Sequence, residues 1–163
     1  MTGFDYVVLA VLALSVVLGG WRGFVREALA LLGWIAAFVL AITFAKPVAQ
    51  QLAGLVSQPE VRVVLAFAGI VFGTLIVAGL LGLLLAKLLR AAGLGIPDRA
   101  LGAAFGLARG LLIVVAFVLA AGLTDMPREP FWREAELAPP LETAALATKP
   151  YLPSALAERI RYR

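Results

Sequence analysis

Cysteine and histidine are both absent from this chain of 163 residues. Their absence excludes disulfides, thiolate chemistry, zinc sites built on either residue, and haem held by them. Neither a Ser–His nor a Cys–His nucleophile can be assembled. Charge is scarce as well, at 15% of residues, against about 25% in an ordinary soluble domain. The net charge is +4, but the basic residues lie scattered between apolar runs. No basic face or aromatic platform emerges, so no nucleic-acid partner is expected. No P-loop spacing occurs, and no cofactor is expected.

What remains is apolar. Hydrophobic residues make up 63% of the chain, and the mean hydropathy is +1.00. Globular burial does not require that surplus, whereas a lipid bilayer does. The lipid bilayer is therefore the first expected partner. Four apolar runs are long enough to cross it, at roughly 17–25 residues each. They lie at about 4–21, 28–45, 63–86 and 101–123. The expected fold is all-α: an integral membrane four-helix bundle of two helical hairpins, with a short, partly helical C-terminal tail. The division is a transmembrane domain over 1–124 and a polar, Pro-containing tail over 125–163. The first run lacks a basic segment before it and a clear cleavage site after it. It reads as a retained span.

The connectors carry topology. Arg22-Gly-Phe-Val-Arg26-Glu27 is very short, which predicts a hairpin of spans one and two. Lys46-Pro47 reads as the close of span two, and 48–62 as more polar, with room for a short interfacial helix. Arg22 and Arg26 lie in connector one; Lys87, Arg90 and Arg99 lie at connector three. Basic residues concentrate on the cytoplasmic side, so connectors one and three are expected inside and both termini outside. In the tail, 141–148 and 154–160 read as short helices, the second with Leu152, Leu156 and Ile160 on one face. Phe131 and Trp132 are expected at the membrane surface, or folded back on the bundle.

The strongest motif is Asp98-Arg99-Ala-Leu-Gly102-Ala-Ala-Phe-Gly106-Leu-Ala-Arg109-Gly110. Pro97 suits a first helical turn, and Asp98 favours the positive end of the helix dipole. Gly102, Gly106 and Gly110 recur every fourth residue, so they share a face that admits a second helix closely. Gly69 and Gly73 on span three are the natural partner surface for that ladder. Plain helix packing is the simpler reading of it, and a tight crossing beside a substrate path the sharper one.

Arg109 lies about 12 Å along span four from Leu101, at about 1.5 Å per residue. An Arg at that depth either snorkels to the headgroups or pairs inside the bundle. Glu27, which opens span two, is the better candidate partner, since Asp98 lies three turns away on the same helix. Arg22, Arg26 and Glu27 together read as topology determinants or as a cytoplasmic recognition site. Asp5 reads as a helix cap or, alternatively, as part of a proton path. In this topology Asp5 and Asp98 fall at opposite surfaces and cannot share a proton as an aspartyl dyad does. An enzyme is not expected. A short echo, Trp21-Arg22-Gly23 against Ala108-Arg109-Gly110, admits a doubled hairpin, though repeats need longer self-similarity.

Four pieces of the chain resemble the colicin V production protein family. They are Phe4-Asp5-Tyr6, then Arg22-Gly23-Phe24-Val25-Arg26-Glu27-Ala28-Leu29, then the Asp98 to Gly110 stretch, and Trp132 with Leu137 and Pro139. The resemblance implies a four-span bacterial inner-membrane protein. Its relatives are associated with production or export of the peptide toxin colicin V and with the state of the cell envelope. Some relatives carry an extracytoplasmic serine protease after the fourth span, which agrees with an outside C-terminus. No catalytic residue carries over. The resemblance thus implies an accessory to toxin production or export, with membrane or envelope proteins as partners and a homo-oligomer as a further possibility. The rival readings are an oligomeric channel or transporter and a structural membrane anchor.

Overall fold

The computed structural model describes residues 1–148 and 150. The tail helix expected over 154–160, with Leu152, Leu156 and Ile160, lies outside the described residues. Six α-helices are described: α1 (Gly3–Arg22), α2 (Phe24–Gln51), α3 (Pro59–Ala91), α4 (Gly95–Ala121), α5 (Pro130–Arg133) and α6 (Ala138–Ala147). Single 3-10 turns occupy Leu52–Gly54 and Met126–Arg128. The first four helices are long and apolar enough to cross a bilayer. Most of their Leu, Ile, Val and Phe side chains point outward; Ile42, for example, is 74% exposed. That pattern suits a lipid solvent, in which apolar side chains need no protein cover.

The chain forms two compact units. One holds residues 22–102, the other 1–21 with the described residues from 103 onward. These boundaries differ from the division at 124, because the described part of the tail packs in the same unit as α1 and the bulk of α4.

In the first unit, α2 and α3 form an antiparallel hairpin. Buried Gly33, Ala37, Ala41, Ala45 and Ala49 recur every four residues along α2. Side chains four apart share a helix face, and small ones let α3 come close. An added Cβ at Gly33 would lie 2.6 Å from the Ala78 Cβ. This stripe also explains why α2 does not stop at Lys46-Pro47. Pro47 lies inside the helix. It removes one backbone bond, while the turn after it keeps Ala49 on the buried stripe. The loop to α3 is tied by Arg62, whose guanidinium donates to the Val56 carbonyl at 2.6 Å and the Ser57 carbonyl at 2.8 Å. The interfacial helix expected there is the Leu52–Gly54 turn.

In the second unit, α1 runs antiparallel to α4. Its core joins Phe4 and Val8 of α1, Val114, Val118 and Ala121 of α4, and Trp132, Ala135, Ala138, Leu141 and Ala145 of the tail. The compact pairs are therefore α2 with α3 and α1 with α4. The connector between α1 and α2 is as short as the sequence indicated, with one non-helical residue, Gly23. The faces are chosen by where small residues line up. The Trp21-Arg22-Gly23 echo is not structural either, since Gly23 separates two helices and Gly110 lies inside one.

Candidate functional site

The residues singled out by sequence gather into three clusters. In the unit of residues 22–102, Gly23 sits between α1 and α2 with φ 85°. Glycine adopts that left-handed region without steric cost. As the N-cap of α2, it has no side chain to satisfy the helix's first N–H groups. Asp98 supplies what is missing: its Oδ1 accepts from the Val25 N–H at 3.0 Å. A carboxylate there also suits the positive end of the α2 dipole. The sequence placed Asp98 at the start of its own helix, where it does stand in the first turn of α4. Only the fold shows that it caps another helix as well.

This arrangement yields a prediction. A Cβ at Gly23 would overlap the Asp98 carboxylate as well as straining the backbone. Gly23→Ala should therefore destabilise more than Asp98→Ala, which is expected to cost the about 0.5–2 kcal/mol usual for a lost cap. Asp98→Asn keeps an acceptor oxygen and should cost less than either. Melting of the three variants in detergent checks the order.

Beside this cap, Glu27 is 5% exposed. Its Oε1 accepts from Arg22 Nη1 at 3.5 Å. Arg26 is half-buried, and Arg99 is exposed on α4.

The second cluster lies in the other unit, where α4 crosses α1. Gly106 and Gly110 are buried there, and Gly102 is buried in the 22–102 unit. An added Cβ at Gly106 would run into the Ser15 carbonyl and come 3.2 Å from the Val16 Cα. One at Gly110 would lie 3.0 Å from the Ser15 Cβ. At Gly106 and Gly110 the ladder is thus a packing face. Its partner at Gly106 and Gly110 is Ser15 on α1 rather than Gly69 and Gly73, which face open space. Arg109, half-buried, directs Nη2 at the same Ser15 carbonyl, at 3.5 Å. Ser15 was not legible as a contact residue. The faint signal is a small polar side chain in the middle of an apolar span.

The third cluster ties the tail to α1. Asp5 is fully buried, not solvated. It accepts from the Thr2 N–H at 2.8 Å, a bond that reaches back across the first turn of α1. The same carboxylate accepts from the Leu137 N–H at 2.9 Å and the Glu136 N–H at 3.3 Å. Leu137 is the N-cap of α6, so one side chain closes the starts of two helices. The terminal amine pairs with Glu136 at 3.2 Å. That pair is exposed and adds little.

Trp132 is fully buried, so it is not a membrane-surface aromatic. Its ring centroid lies 4.3 Å from that of Phe4 and 6.4 Å from that of Phe117. Its Nε1–H donates to Glu142 Oε1 at 2.8 Å inside the core. Glu142 also escaped the sequence reading, because a lone Glu in a polar tail looks solvated. Phe131 beside it is 45% exposed.

Comparisons with known proteins reach across most of the chain. The family model described as colicin V production protein matches residues 4–146. A colicin V production protein homolog of Haemophilus influenzae is 38% identical over 136 residues, covering 83% of each chain. The colicin V production protein of Escherichia coli K12 is 34% identical over 140 residues, covering 85% of this chain and 86% of its own. No solved structure matches.

Proposed function

We propose that this chain, which belongs to the colicin V production protein family, is an accessory to the production or export of a peptide toxin such as colicin V. The observation that supports the reading is the match to named relatives over four-fifths of the chain, spans and tail alike. The membrane in this reading is the bacterial inner membrane, and the protein contributes there to the state of the envelope. It works without catalysis, through membrane or envelope protein partners, as a homo-oligomer or alone. The cysteine-free sequence allows a direct test. Cys introduced at residue 148 or in the 93–99 loop, crosslinked in cells, should capture a fixed partner. Complementation of a deletion strain for colicin V output should follow the same positions. Ion flux through the purified protein in proteoliposomes, with no partner captured, would replace this reading by that of a channel.

The basic connectors support an orientation with both termini in the periplasm. A thiol label that cannot cross the inner membrane should then react with Thr148→Cys and leave Gly95→Cys unlabelled in intact spheroplasts. The reverse pattern would invert the orientation.

A further inference from the structure

Between α2 and α3 lies a cavity of about 230 Å³, lined by Arg22, Arg26, Ala30, Ala78, Gly79 and Gly82. It exists because small residues face each other there. The Arg26 stem crosses Gly82, with its Cγ 3.8 Å from where a Cβ would stand, and Gly79 meets nothing within 4 Å. Two cations line the cavity and no carboxylate does. Arg22 is engaged by Glu27 at 3.5 Å. Arg26 is half-buried, and no hydrogen bond or ion pair is recorded for it among the described residues. A guanidinium so placed calls for an anion, and its planar fork matches phosphate oxygens two at a time.

We propose that this cavity takes the phosphate of an anionic phospholipid. Three observations select a lipid over a soluble anion. Arg26 is the third residue of α2, so the cavity lies at the charged end of an apolar helix, at headgroup level. Ala30 and Gly79 are exposed, so the cavity opens on the flank of the helix pair, where acyl chains run. Leu31 and Leu80 are exposed beside that opening, at 53% and 60%. The volume falls below the roughly 300–1,000 Å³ of a pocket that swallows a whole drug-sized ligand. It suits a headgroup phosphate whose chains stay outside. With Arg22 and Arg26 both lining it, the cavity is cationic, which favours a net-negative headgroup over a zwitterionic one. Basic pockets between membrane helices hold anionic headgroups by this chemistry. The proposal does not depend on the toxin role.

The test is a thermal-shift titration of the purified full-length chain in detergent. The probes are dioleoylphosphatidylglycerol, dioleoylphosphatidylcholine and inorganic phosphate at matched ionic strength. Phosphatidylglycerol should raise the melting temperature with saturation, and the other two should not. Arg26→Gln should weaken half-saturation about tenfold or more, the loss of one charged hydrogen-bonding group. Gly79→Val occupies the cavity from a position where an added Cβ meets nothing within 4 Å, and it should abolish the shift while leaving the lipid-free melting temperature near wild type. Gly73→Val, equally open but outside the cavity, should titrate as wild type. Saturation by inorganic phosphate or an equal response to phosphatidylcholine would overturn the lipid assignment. Wild-type titration of Gly79→Val would overturn the site, even were Arg26→Gln to fail to fold.

Discussion

Gly106→Leu should leave little folded protein in the membrane. Two observations lead there. Gly106 is buried, and the atoms facing it belong to the α1 backbone at Ser15 and Val16. A neighbouring side chain can rotate out of the way, but a helix backbone moves only as a whole. Overpacking that side chains can absorb costs about 1–3 kcal/mol; here the penalty should exceed that range. Parting the helices would also strip dispersion contacts from the Val114 and Val118 packing below. Even Gly106→Ala should lower the melting temperature clearly, since its Cβ already collides with the Ser15 carbonyl. The internal control is Gly69→Ala, where nothing lies within 4 Å. That change should be neutral or stabilising by up to about 1 kcal/mol, the helix preference of Ala over Gly. Similar melting of Gly69→Ala and Gly106→Ala would show that the α1–α4 crossing contributes nothing.

Trp132→Ala should be the next most damaging single change. Removing a buried large aromatic costs about 3–5 kcal/mol. It would open a hole between Phe4, Phe117 and the small residues Ala135 and Ala138. It would also leave the buried Glu142 carboxylate without the indole donor that now meets it at 2.8 Å. Trp132→Phe separates these two losses, because it keeps an aromatic ring and deletes the N–H. It is expected to cost about 1–3 kcal/mol, the penalty for a buried polar group left without its partner. Limited proteolysis of the tail, read beside the melting temperature, checks the order of wild type, Phe and Ala. Truncation after Asp125 removes the same core together with the two tail N–H groups on Asp5. Insertion of the four spans should survive it, because their hydropathy is unchanged. Its melting temperature in detergent should fall, because the α1–α4 unit would lose half of its buried core residues.

Much of this protein was legible in one dimension. Four apolar runs announced four long helices, because a bilayer demands length and hydropathy that composition alone displays. The four-residue spacing of Gly102, Gly106 and Gly110 announced a close packing face, because helical periodicity is local. Asp98 and Arg22 to Glu27 were recognisable as important, since charge beside apolar runs is costly unless it serves something. Partners were not legible. The residue against Gly106 is Ser15, 91 positions earlier in the sequence, and no local pattern pairs them. The alanine stripe of α2 meets α3, where Gly33 faces Ala78, 45 positions later in the sequence. For Trp132 the sequence left two places open, the membrane surface or folded back on the bundle; its burial depends on α1 and α4, which only folding brings beside it. Asp5 likewise read as a cap for its own helix, and it is one. That it also closes the start of α6 needed the tail to return across 132 residues. Periodicity, length and charge are properties of a segment, so sequence determined the elements and the faces they bury. Which face meets which is settled by complementarity between distant segments, and the tertiary structure alone decided it.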